Sequence, residues 1–177
     1  MSCNLTAGRQ EVCKDSVGGL QGVYFINFES GSFTKNADGE ITDLSGQTVY
    51  FYELKGTSAY TETVNSSREN GTTFFSQETT LNLKKLTNEM TTQLKLLAYG
   101  RPQIIVWTNS GDALLVGEEH GADLTAGTIQ TGGALGDLYG YSVTMTAEEK
   151  LPAAFLSGST TTDPFANLVG QPTIVYS

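Results

Sequence analysis

Two stretches of strict period-two alternation, on either side of one helical stripe, constrain this chain more than any other feature. From Thr73 to Leu83, Phe75, Leu81 and Leu83 share one face, while Ser76, Glu78, Thr80 and Asn82 share the other, with Phe74 the exception. Tyr141, Val143, Met145 and Ala147 alternate in the same way with Ser142, Thr144, Thr146 and Glu148. Such a pattern is satisfied only by strands with one packed and one wet face. Between them Leu86, Met90, Leu94, Leu97 and Ala98 recur at helical spacing, which predicts a helix over 87–99 packed on the core. Thr87 or Asn88 can cap its start, Glu89 suits the positive amino end, and Gly100 with Pro102 stops it.

The remaining segments read as strands and turns. Gly18-Gly19 bends the chain before an extended run, Gly22 to Phe28, so residues 1–21 read as an arm. Thr48 to Leu54 and Ser58 to Val64 are extended, and Asn70-Gly71 reads as a hairpin tip. Gln103 to Thr108 and Ala113 to Val116 flank Asn109-Ser110-Gly111-Asp112, a second hairpin, and one irregular strand is expected near Gly127 to Gln130. Residues 29–46 carry the Asp38-Gly39 turn but no clear element, and so read as a long functional loop. After Ser157 a Ser/Thr-rich stretch leads to Thr173-Ile174-Val175-Tyr176, an apolar tetrad able to add a strand to its own sheet or a neighbour's. The expected organisation is a single domain over 1–156 with a C-terminal extension, 157–177.

Composition narrows the function classes. The 177 residues fit one hydrophobic core, and 38% hydrophobic with 16% charged residues indicates neither a disordered tail nor a membrane protein. A net charge of −9, with Lys84-Lys85 as the one adjacent basic pair, disfavours tight nucleic-acid binding. The start, Met1 to Thr6, lacks a signal-peptide pattern, so folding in a reducing cytosol is expected, with Cys3 and Cys13 as free thiols.

No candidate chemistry outweighs its ordinary structural explanation. His120, with Glu118, Glu119 and Asp123 nearby, would be a metal site or an acid–base pair, but a lone histidine among loop neighbours reads better as a solvated acidic loop. Around Asn36, Asp38, Gly39 and Ile41 a calcium loop would need carboxylates where Thr34 and Ser45 stand. Gly132-Gly133-Ala134-Leu135-Gly136 neither follows a buried strand nor opens a helix, and no lysine follows it, so a phosphate loop is not expected. Asn4, Asn65 and Asn70 begin glycosylation patterns without a secretory context. No catalytic residue, metal or cofactor is therefore expected, and the chain does not read as an enzyme.

The run Tyr52-Glu53-Leu54-Lys55-Gly56, the strand pair through Ser67-Arg68-Glu69-Asn70-Gly71-Thr72, and Leu81 to Gly100 resemble a tailed-phage tail tube protein. So do Gly117 to Ala122, Thr131-Gly132-Gly133, Gly136-Asp137, Tyr141 to Thr146, and Glu149 to Ala153. The resemblance covers roughly Tyr50 to Leu156. Cys13 to Gly19 is also similar to the starts of virion proteins from phages of Bacteroidota and marine bacteria. What the resemblance implies is a mainly β fold: a two-sheet β-sandwich or partial barrel with one flanking helix. It implies a virion protein assembled in the bacterial host cytoplasm, whose copies form hexameric, stacked rings that adjoin other tail proteins. Double-stranded DNA would be passing cargo and no membrane would be bound. The loop 29–46 would reach the next ring, while 157–177, outside the resemblance, reads as an added contact arm. Glu62, Glu69 and Glu78 are the expected acidic wall of the bore. The rival readings are a portal–tail connector and a monomeric ligand-binding sandwich, the latter with an aromatic platform of Tyr50, Tyr52 and Trp107.

Overall fold

Apolar residues at both phases of Leu20–Ile26 make this first strand, β1, fit only for a place buried on both faces. The computed structural model describes residues 4–11, 13–29 and 33–176, and places β1 inside a six-stranded sheet. The other elements are β2 (Thr34–Lys35), β3 (Ile41–Asp43), β4 (Thr48–Glu53), β5 (Ala59–Ser67), β6 (Thr72–Lys84), α1 (Asn88–Tyr99), β7 (Gln103–Thr108), β8 (Ala113–Val116), β9 (Asp123–Gln130), β10 (Gly140–Glu149), β11 (Ala154–Phe155) and β12 (Thr173–Val175). The six-stranded sheet has the order β11-β8-β7-β1-β4-β12, and the four-stranded sheet β5-β6-β10-β9. The fold is thus mainly β with one helix, as expected, and its sheets remain open rather than closing into a barrel.

The alternating strands behave as their sequences dictate. β6 and β10 pair antiparallel without interruption from Phe75↔Glu149 to Lys84↔Gly140. Their shared inner face presents Leu81, Tyr141, Val143, Met145 and Ala147 to Val23, Phe25, Ile104 and Val106 of the six-stranded sheet. Each such Val, Leu, Ile, Phe or Met side chain contributes about 1.5–3 kcal/mol on burial. The opposite face of the six-stranded sheet forms a second core around Tyr24, Ile26, Ile105, Trp107 and Leu115.

α1 covers one flank of the first core. Thr87 is its N-cap and accepts from Met90 N at 3.1 Å, and Gly100 closes the last turn on Leu96 O. Leu86, Met90, Leu94 and Leu97 pack against the core as predicted, but only half-buried, and Ala98 is exposed. One buried phenol secures the helix. The Tyr141 hydroxyl donates to Thr87 O at 2.9 Å, accepts from Thr87 N at 3.2 Å and shares a 2.7 Å bond with Thr91 Oγ1. Tyr141→Phe is expected to lower stability by about 1–3 kcal/mol, since the partners lose a buried bond. Thermal unfolding followed by circular dichroism checks it; an unchanged midpoint would remove the hydroxyl as the helix anchor.

Two segments depart from expectation. Residues 33–46 are not a free loop: β2 and β3 form a hairpin whose Ile41 and Leu44 are buried. Asn36 Oδ1 accepts from Asp38 N and Glu40 N, fixing the turn between the two short strands. Ile41 and Leu44 anchor this stretch on the second core, which corrects the reading of it as a loop with no element of its own; residues 30–32 lie outside the described residues. The segment beyond 156, read as an added contact arm, packs on the second core. Phe165 and Leu168 are buried, and Trp107 Nε1 donates to Thr160 O at 2.9 Å. The terminal tetrad adds its strand to its own sheet, with β12 parallel to β4 from Thr173↔Thr48 to Val175↔Tyr50.

Residues 4–11 and 13–19 form no helix or strand and are exposed. Cys13 is a free, exposed thiol, while Cys3 lies outside the described residues.

Candidate functional site

The register of the four-stranded sheet fixes which side chains face outward. Thr61 pairs with Glu78, which pairs with Thr146; Thr63 pairs with Ser76, which pairs with Glu148; Thr80 pairs with Thr144. Thr125 of β9 continues this face by sharing a 3.1 Å bond with Thr146 Oγ1. The outer face is therefore a carpet of hydroxyls, with Glu78 and Glu148 its charges between Phe74 and Asn82 on β6 and between Ser142 and Glu148 on β10. Neither stretch contains Lys or Arg.

Of the three carboxylates expected to form an acidic wall, the structure keeps Glu78 on this face. Glu69 lies in the turn between β5 and β6. Glu62 faces the other way, because Tyr60, Glu62 and Val64 share the phase of Thr79, Gln77 and Phe75. Its carboxylate is half-buried and accepts from Tyr60 Oη at 3.0 Å, Ala153 N at 3.2 Å and Gln77 Nε2 at 3.5 Å. Burial, followed by the negative charge and hydrogen bond of Glu62, pushes the Tyr60 hydroxyl far above its ordinary range.

The long edges of this sheet are open. Among the described residues no strand pairs with the outer side of β5 or of β9. Lys85 N donates to Tyr139 O in register with the β6–β10 pairs, so odd-numbered β6 residues spend their backbone groups on β10. Even-numbered β6 residues then serve β5, and alternation turns the backbone groups of Tyr60, Glu62, Val64 and Ser66 toward the free edge.

His120 finds a different partner from the one its sequence neighbours suggest. Its Nδ1 lies 2.9 Å from Oε2 of Glu149, while Oε1 of Glu149 accepts from Glu119 N at 3.1 Å and His120 N at 2.8 Å. Asp123 instead pairs with Arg101 at 3.3 Å, and Glu118 with Lys35 at 2.8 Å. Glu119, His120 and Glu149 each bring a ligand atom within 4.8 Å of the others. Both oxygens of Glu149 are already committed to hydrogen bonds, which is the arrangement of a pinned turn. The signal for Glu149 was present in the sequence: it continues the buried phase Tyr141, Val143, Met145, Ala147.

The glycine-rich segment is occupied by its own chain. Asp137 Oδ2 accepts from Gly133 N at 2.9 Å and Ala134 N at 2.8 Å, and these bonds hold its carboxyl below the usual range. The amides a phosphate would need are spent internally. The aromatic platform is not assembled either: Trp107 is buried, whereas Tyr50 and Tyr52 line a cleft of about 490 Å³ with Met90, Gln93 and Tyr176. Among the described residues no helix is long and apolar enough to cross a membrane.

No family model matches the chain, and no curated protein matches it. Among solved structures it is similar to a chain from the virion of a native gene transfer agent particle, at 11% identity and a TM-score of 0.38, covering 70% of this chain and 100% of that one. A likeness of that size carries no functional argument.

Proposed function

We propose that this chain is a self-assembling structural subunit of a phage-type virion, a tail tube protein whose copies join edge to edge into rings that stack around a DNA conduit. The observation that carries the reading is the four-stranded sheet: two long edges that no strand among the described residues pairs with, and between them a hydroxyl-rich face without a basic residue in its central stretches. An isolated protein with such edges invites uncontrolled strand pairing, and closure into a ring removes them. The resemblance of residues 50–156 to tail tube proteins supports the same conclusion, with a hexamer as the expected ring and other tail proteins as neighbours. On this reading the bore is lined by Thr, Ser, Glu78 and Glu148, a surface that offers DNA phosphates no cation to hold.

Negative-stain microscopy of the purified chain tests the proposal. Hollow tubes or rings are expected; isolated rings that never stack would favour a connector, and monomers at high concentration would overturn assembly altogether. Lining chemistry has its own test. Glu78→Lys with Glu148→Lys is expected to turn non-binding assemblies into ones that retain linear duplex DNA in a strongly salt-dependent way. Filter binding across a salt series checks it, and equal retention by the unsubstituted assembly would exclude this face from the bore.

A further inference from the structure

We propose that the His120–Glu149 pair is a proton-controlled latch holding the Gly117–Gly121 turn, and through it the β2–β3 hairpin, against the sandwich. This inference does not depend on assembly. Glu149 stands on the inner face at the end of β10 with only 4% of its surface exposed, and the three bonds it accepts all come from the turn. The turn is tight: Gly121 N donates to Gly117 O at 3.0 Å, with φ of 75° and 71° at these glycines, and a Cβ at either would strike backbone atoms.

Three other groups attach to the same few residues. Gly117 N donates to Gln77 Oε1 at 3.0 Å, Gln103 Nε2 donates to Glu118 O at 2.8 Å, and Glu118 Oε2 holds Lys35 Nζ at 2.8 Å. One turn therefore joins both sheets and the hairpin. Glu149 is shut away from water, but the His120 side chain is 63% exposed and can exchange its proton without unfolding. The charged groups around it are Glu149 from β10, Glu119 beside it, and Arg101 from the link before β7; Arg101 is partly offset by Asp123 of β9, and Lys35 of β2 by Glu118.

The direction of control follows from this setting. The hydrogen bond to Glu149, then its charge, raises the imidazole pKa above the ordinary 6.5. A raised value means that the stabilisation is fully present below about pH 6.5 and is lost as the pH climbs through the folded-state pKa. Neutral imidazole can still donate Nδ1–H to the Glu149 carboxylate, so deprotonation removes the attraction between the two charges but keeps the bond, and slackens the latch instead of cutting it. The slackened turn then holds Glu118 less firmly against Lys35, and the hairpin loosens with it.

The chain contains one histidine, so its imidazole resonances are unambiguous in a titration by nuclear magnetic resonance. The wild-type midpoint is expected above 6.5, falling in Glu149→Gln. Amide exchange read by mass spectrometry at about pH 6 and about pH 8.5, corrected for intrinsic rates, should show the peptides of 34–43 and 117–122 better protected at the lower pH. His120→Gln should abolish that difference. Lys35→Met, which removes the cation facing Glu118, should leave the pH response in the turn and remove it from the hairpin. A wild-type midpoint at or below 6.5, or a response that survives His120→Gln, overturns the latch; a hairpin response that survives Lys35→Met overturns its transmission.

Discussion

Val64→Pro is expected to leave the monomer folded and to weaken the proposed ring formation by about tenfold to a hundredfold, since the lost donor leaves an incoming carbonyl unpaired at about 1–3 kcal/mol and 1.4 kcal/mol is tenfold. Val64 is an edge residue of β5, 59% exposed, whose backbone groups point away from β6. Proline there removes a donor used only by an incoming strand, and edge strands tolerate that loss within one molecule. The neighbouring position supplies the control. Thr63 pairs with Ser76 through groups turned toward β6, so Thr63→Pro should destabilise the monomer itself. Light scattering against concentration reads assembly, and circular dichroism reads the fold. Equal assembly of Val64→Pro and wild type would exclude the β5 edge as the subunit contact.

Phe165→Ala should be the most damaging single truncation outside the two sheets, at about 3–5 kcal/mol. That is a large part of the 5–15 kcal/mol that holds a domain of ordinary stability. Phe165 is 1% exposed and meets the Tyr24 ring edge-on at 4.9 Å. Asp163 Oδ1 accepts from its backbone N–H at 2.8 Å and fixes the approach. Burial, then the nearby Tyr176 and Asp163, push the Tyr24 hydroxyl far above its ordinary range. Urea unfolding measures the loss, and fast exchange in the peptides of 157–176 should accompany it. A cost under about 1 kcal/mol would mean that the second core does not depend on this ring.

What was legible in the sequence follows from how strongly each segment alternates. β6, β10 and α1 could be read because their apolar positions keep phase over many residues, and Thr87 and Gly100 mark the helix ends by chemistry. β9 was legible only in part, as an irregular strand near Gly127 to Gln130, since its eight residues are nearly all exposed and carry only Leu124 and Ile129 as large apolar side chains. The β2–β3 hairpin was hidden for a related reason: two and three residues are too few to show a period, although its turn was read correctly. Glu62 was assigned outward by its charge, yet its phase with Tyr60 decides, and Tyr60, Gln77 and Ala153 supply the polar partners that make an inward carboxylate tolerable. Glu149 shows the same conflict settled the same way. In both cases periodicity was the better guide and residue type the worse one.

The parallel pairing of Thr173 with Thr48 bears on when the molecule can finish folding. Thr173 lies far beyond Thr48 along the chain, so a ribosome has to deliver every residue between them before that margin of the sheet is sealed. Until then β4 remains available to wrong partners, and nascent copies on one messenger would be at risk of tangling. A late-arriving strand thus sets the order of events: on the proposed reading, each copy completes itself first and meets its neighbours afterwards.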